Sequence, residues 1–88
     1  MLFRSRNAER ANALARNIGE AAGKRLLHPV EANEVFVELG SARKASLRAA
    51  GFEFYDWGSP ASGAARFVAS WDQKERHVEA LCAALTAM

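Results

Sequence analysis

Apolar residues recur at helical spacing near both ends of the chain. In the segment 7–22 they form one stripe along a helix face, which consists of Ala11, Leu14, Ala15, Ile18 and Ala22. Gly23 follows where a left-handed residue commonly ends a helix. A second stripe consists of Val78, Leu81, Cys82 and Leu85. Asp72 and Glu75 lie three residues apart, so they predict a capping box that starts this last helix.

Alternation of apolar and polar residues predicts strands between these two helices. The four segments concerned are 25–28, 34–39, 52–57 and 66–71. The second segment alternates strictly, with Glu34, Phe36 and Glu38 on one side of a sheet and three aliphatic residues on the other. A further helix is predicted between the second and third strands.

The junction between that middle helix and the third strand is predicted from local residues. Ser41 can cap the start of the helix, and Gly51 is expected in the left-handed conformation just past its end. Phe52 can then fold back onto Leu47, which is the apolar contact of a Schellman motif.

The order of elements is α-β-β-α-β-β-α over one domain, residues 1–88. Short connections favour a mainly antiparallel sheet of about four strands with three helices on one face, which is an α+β fold. The other face of that sheet is expected to carry Phe36, Tyr55, Trp57, Arg66 and Ser70. We expect such a surface to contact another protein or to bind a ligand, because monomers seldom expose a patch of this kind to solvent.

Composition predicts a folded, soluble protein of the cytoplasm. Half of the 88 residues are hydrophobic and a quarter are charged, and Cys82 is the only cysteine. No apolar run approaches the length of a membrane span, and the opening segment 1–4 turns polar too soon for a secretory signal. The net charge of +2 comes from interspersed residues, so we expect neither a nucleic-acid partner nor a membrane partner.

Most residues capable of chemistry have an ordinary structural interpretation. No histidine has another ligand at metal-binding spacing, the cysteine belongs to an apolar stripe, and the lysines lie in polar helix-end or helix-surface contexts. These residues are His28, His77, Cys82, Lys24, Lys44 and Lys74. We therefore predict no metal site, no cofactor-binding residue and no catalytic residue within this chain.

Arg66 is the exception. It follows the flexible loop 58–63 and opens a strand of otherwise apolar and small residues. A guanidinium there could bind a carboxylate through two parallel hydrogen bonds. The residues alone favour a surface or ion-paired arginine over such a binding site.

Three stretches resemble the C-terminal part of low-specificity L-threonine aldolases, which are pyridoxal-phosphate enzymes of fold type I. They are 28–37 (HPVEANEVFV), 49–57 (AAGFEFYDW) and 65–72 (ARFVASWD). The resemblance implies cleavage of β-hydroxy amino acids to glycine and an aldehyde by the intact enzyme. It implies that Arg66 corresponds to the arginine that binds the substrate α-carboxylate.

The same resemblance implies a large domain, absent from these 88 residues, that binds pyridoxal phosphate and carries the Schiff-base lysine. We therefore expect this chain to be inactive alone. Its expected partners are that domain and the amino-acid substrate, and a homo-oligomer is a further partner to test. An internal ion pair of Arg66, or a guanidinium turned toward the helices, would argue against its substrate role.

Two other hypotheses stay open from the sequence. In one, the chain is a stand-alone module whose aromatic sheet face binds a protein or stacks nucleic-acid bases. In the other, it is a self-associating domain that buries the same face in a dimer and does no chemistry.

Overall fold

The computed structural model describes residues 2–88, with side chains from Arg6 onward, so Met1 and the side chains of the opening segment lie outside it. Its elements are helix α1 (Leu2–Ala22), strand β1 (Glu34–Glu38), helix α2 (Ser41–Ala49), strand β2 (Tyr55–Asp56), strand β3 (Ala64–Val68) and helix α3 (Glu75–Thr86). The strands form one antiparallel sheet in the order β1-β3-β2. The predicted α+β class is confirmed, with three strands in place of about four.

The apolar core lies between the sheet and the helices. Strand residues facing the helices, such as Val35 and its cross-strand partner Phe67, are almost fully buried. The predicted stripe of α1 is buried in full, as are three of the four residues predicted for α3. The two stripes pack against each other, and α1 also packs against β1. No described helix is long and apolar enough to cross a membrane.

Arg10 of α1 fastens the segment that leads into α3. Its Nε donates to the carbonyl of Trp71 at 2.7 Å and its Nη2 donates to the carbonyl of Gln73 at 3.0 Å. The same guanidinium pairs with Glu75 at 3.3 Å. One side chain therefore holds together elements more than 60 residues apart in the chain.

The predicted Schellman motif is present at the end of α2. Gly51 has a φ of +96°, a conformation that glycine adopts without steric cost. The amide of Phe52 donates to the carbonyl of Leu47 at 3.0 Å, and the amide of Gly51 donates to that of Arg48 at 3.0 Å. This junction sets the direction in which the chain enters β2.

The predicted first strand, 25–28, is wrong. Gly23–Arg25 is a short 3₁₀ turn, and only Leu26 forms an isolated bridge to Val37. Leu27 donates one further bond, to the carbonyl of Phe36. The pairing goes no further because Pro29 has no amide hydrogen to continue it.

The other two strands are shorter or displaced relative to prediction. The segment 52–57 is a strand only at Tyr55–Asp56, and the last strand is Ala64–Val68 where 66–71 was predicted. The amide of Ser70 donates to the side chain of Gln73 at 2.8 Å, so the chain turns there.

Both predicted helix caps are also wrong. The residue preceding α2 is Gly40, and Ser41 is the first residue inside the helix. Gly40 is held in place because its amide donates to the carbonyl of Gly63 at 3.0 Å. The residue preceding α3 is Lys74, and Asp72 instead accepts a hydrogen bond from the hydroxyl of Ser70.

Candidate functional site

The sheet face turned away from the helices, which we call the open face, carries Glu34, Phe36, Tyr55, Trp57, Arg66 and Val68. Arg66 lies at its centre because β3 is the middle strand. Phe36 of β1 and Tyr55 of β2 are its direct cross-strand partners. The three residues therefore form one row across the sheet, with Arg66 between two aromatic residues.

The Arg66 guanidinium forms an ion pair with Glu34 on the open face. Its Nε donates to Glu34 Oε1 at 3.0 Å, and its Nη2 donates to the same oxygen. Its central carbon lies 5.4 Å from the centre of the Tyr55 ring, within the range of a cation–π contact. The ion pair is what the residues alone favoured, and it is also the outcome that was expected to argue against a substrate role for Arg66.

The ion pair is at the surface and does not face the helices. The side chain of Arg66 is 34% exposed and that of Glu34 is 38% exposed. A ligand can therefore approach the guanidinium from the open face, but its carboxylate would meet Glu34 there first.

Aromatic rings cover the part of the open face beside Arg66. Phe36 is buried because His28 and Trp57 pack on it, with ring centres 4.6 Å and 4.7 Å from its own. Trp57 remains 49% exposed and Tyr55 remains 61% exposed. The aromatic residues predicted for this face therefore lie on it, and the rings of Tyr55 and Trp57 are exposed to solvent.

Ser70 does not belong to this face, contrary to prediction. The strand ends at Val68, and Ser70 lies in the turn that follows, where its hydroxyl donates to Asp72. The prediction was wrong because it extended the alternation of β3 beyond the last paired residue.

Lys44 is buried, contrary to the prediction of a polar helix-surface context. Only 3% of the residue is exposed. Its Nζ donates to the carbonyls of Ser62 at 2.6 Å and Ala64 at 3.2 Å, and it pairs with Asp56 at 2.7 Å. All three ammonium protons therefore have an acceptor, which is what a buried lysine requires.

Asp56 receives a second cation from the same helix. Arg48 Nη2 lies 3.1 Å from its carboxylate, and the Arg48 guanidinium also stacks on the Phe54 ring at 4.2 Å. The hydrogen bond from Lys44, followed by that from Arg48, holds the pKa of Asp56 below its usual value. This cluster fixes the hairpin of β2 and β3 that carries Tyr55, Trp57 and Arg66.

The remaining candidates do not converge on the open-face arginine. His77 is exposed on α3, and no group of three or more metal-ligating side chains occurs among the described residues. Cys82 packs at the edge of the core. Burial raises the pKa of the Cys82 thiol, and the carboxylates of Glu20 and Glu79 raise it further.

A groove of about 750 Å³ runs beside the outer edge of β2, between Arg48, the Gly51 turn and Gln73. It touches the open face at Tyr55 and Val68 but Arg66 does not line it. The groove and the arginine are therefore neighbouring features and not one pocket.

Glu34 and His28 belong to the site but were not assigned to it from the sequence. Glu34 has the same strand parity as Phe36, so the alternation placed it on the correct face. Its pairing with Arg66 depends on the β1–β3 register, which the alternation does not specify. His28 was assigned to a strand that does not form.

The fold and the open face define an α+β domain that presents one arginine between aromatic rings. Two curated proteins match it, both named low-specificity L-threonine aldolase. The protein from Pseudomonas sp. (strain NCIMB 10558) is 37% identical over 78 residues, which are 89% of this chain and 22% of that protein. The protein from Pseudomonas aeruginosa is 40% identical over 80 residues, covering 86% of this chain and 22% of that protein.

The resemblance to low-specificity L-threonine aldolases is thus confirmed over nearly the whole chain. The chain spans about a fifth of the length of these relatives. No protein-family model matches the chain.

Proposed function

We propose that this chain is the C-terminal small domain of a pyridoxal-phosphate-dependent L-threonine aldolase-like lyase. The intact enzyme would cleave β-hydroxy amino acids to glycine and an aldehyde. The observation that carries the proposal is the similarity of 86–89% of this chain to a short part of two threonine aldolases.

None of the three lysines is placed to form an imine with pyridoxal phosphate. The one buried lysine, Lys44, is fully occupied by Asp56 and two backbone carbonyls, while Lys24 and Lys74 are exposed. An imine-forming lysine needs a free nitrogen at the cofactor. The cofactor and the reacting groups are therefore assigned to a large domain outside these residues, and the chain alone is expected to be inactive.

The role of this chain is to present Arg66 to the α-carboxylate of the amino acid. The side chain stands on the middle strand of the three-stranded sheet, and the flanking Tyr55 ring limits the directions in which it can turn. A guanidinium held this way can bind a carboxylate with two hydrogen bonds and orient the substrate. Glu34 must give way when the substrate binds.

The open face is the surface that we assign to the large domain. Tyr55 and Trp57 are large, half-exposed rings near the arginine. Contact with a second domain would bury them.

A segment exchange tests this function. The matching segment of the Pseudomonas aeruginosa aldolase is replaced by this chain, and cleavage of L-threonine is measured for the chimera with Arg66 and with Arg66→Lys. We expect an active chimera whose KM rises about tenfold in the variant, because a lysine cannot reproduce the bidentate bond. Arg76→Lys, an exposed change on α3, is the matched control. Unchanged KM in Arg66→Lys would remove the assignment of Arg66.

The half-exposed rings also suit an interaction module that acts without a catalytic partner. Oligonucleotide titration at low salt and sedimentation of the 88-residue chain separate the possibilities. Salt-sensitive binding would favour a nucleic-acid module. A dimer that protects Trp57 from a quencher would favour self-association.

A further inference from the structure

One edge of the Arg66 guanidinium is already occupied by a carboxylate oxygen. Nε and Nη2, two nitrogens that together can hold a carboxylate, both donate to Glu34 Oε1. The chain therefore places its own acid on the group that a ligand carboxylate would use.

Solvent reaches both side chains of the Glu34–Arg66 pair, so a ligand carboxylate can compete for the guanidinium. Both side chains are about one-third exposed, and ion pairs between exposed groups are weak. Glu34 is the first residue of β1, where its backbone already bonds to Glu31, so the ion pair is not needed to start the strand.

We propose that Glu34 occupies Arg66 in the absence of ligand and is displaced by the ligand carboxylate, so that it sets which carboxylates can bind. This rests on the proposed function of Arg66. A small monocarboxylate gains only the guanidinium and loses to the tethered Glu34. An amino-acid substrate is also bound by groups outside this chain. These additional contacts allow its carboxylate to displace Glu34 from Arg66.

Acetate binding to the 88-residue chain tests the competition directly. The side-chain Nε–Hε resonance of Arg66 is followed by NMR while sodium acetate is added at constant ionic strength. Glu34→Gln should bind acetate about two- to fivefold more tightly than the unchanged chain, the factor that an exposed ion pair represents. The backbone spectrum shows whether the variant keeps the fold.

Glu38→Gln is the matched control. Glu38 lies four residues further along the same strand and loses the same charge, but its cross-strand partner is Ala64. Acetate affinity in this variant should stay within about 1.5-fold of the unchanged chain, since a distant exposed charge is largely screened. Equal or weaker acetate binding in Glu34→Gln, or an equal gain in Glu38→Gln, would overturn the competition.

Kinetics of the chimera separate this proposal from the proposed function. Glu34→Gln should lower the KM for L-threonine with little change in kcat, while Arg66→Lys raises KM. If Arg66→Lys has no effect, the aldolase role fails, and the acetate titration still decides whether Glu34 competes. A raised KM in Glu34→Gln would mean that Glu34 orients Arg66 for the substrate, and the competition would be refuted.

Discussion

Replacing Lys44 by methionine should strongly destabilise this domain. Methionine fills nearly the same space as the lysine stem, so the change removes a charge and leaves little cavity. The carbonyl of Ser62 loses the 2.6 Å bond from the ammonium, while Ala64 keeps a second donor in the amide of Trp57. Asp56 keeps Arg48 at 3.1 Å. The substitution therefore leaves the Ser62 carbonyl unpaired and removes one of the two cations that contact Asp56.

The magnitude follows from these losses. Breaking a fully buried ion pair from one side costs about 3–5 kcal/mol, but water reaches the partly exposed side chain of Asp56 and lowers that cost; an unpaired acceptor alone costs about 1–3 kcal/mol. Since Arg48 still compensates Asp56, we expect a loss of about 3 kcal/mol for Lys44→Met. A domain of this size has a total stability of roughly 4–13 kcal/mol, so the loss is a large share of it.

Urea unfolding followed by tryptophan fluorescence measures this loss. The midpoint of thermal unfolding should fall by more than about 10 °C as well. Lys24→Met makes the same chemical change at an exposed site and should alter stability by less than about 0.5 kcal/mol. If Lys44→Met proves as stable as this control, or more stable, desolvation of the lysine outweighs its three contacts and the reasoning is refuted.

Two further predictions concern titrating groups. Because the pKa of Asp56 is lowered in the folded chain, its contribution to stability is present above the unfolded pKa of about 4 and is lost as pH falls through the folded value. The difference in urea midpoint between the unchanged chain and Asp56→Asn should therefore be full at pH 7 and shrink below about pH 4; a constant difference would contradict it. The raised pKa of Cys82 predicts that iodoacetamide at pH 8 reacts more slowly with the folded chain than with the chain in urea. Equal rates would show that burial does not protect the thiol.

Features set by residues close in sequence could be predicted. The stripe of α1 from Ala11 to Ala22 is buried as expected because helical spacing alone decides it. The turn at Gly51 forms as expected because its bonds lie within one helix end. The face of the sheet that carries Phe36 followed from alternation in the same way.

Features set by strand register or tertiary packing could not be predicted. Lys44 sits on a short helix that reads as polar, and its burial becomes visible only when α2 lies over Asp56. Arg66 meets Glu34 through a register that alternation leaves open. A strand was wrongly predicted at 25–28 because local propensity does not show how far a segment pairs with its neighbour. In the fold this segment forms only one bridge, from Leu26 to Val37.

The contact between α1 and α3 has a consequence for synthesis on the ribosome. The apolar stripe of α1 emerges first, and α3, which covers much of it, emerges last. The hydrogen bonds from the Arg10 guanidinium likewise form only after Trp71 and Gln73, more than 60 residues later in the chain, have been synthesised. This domain therefore reaches its native packing only after α3 has left the exit tunnel, and until then the apolar stripe of α1 lacks the helix that covers it.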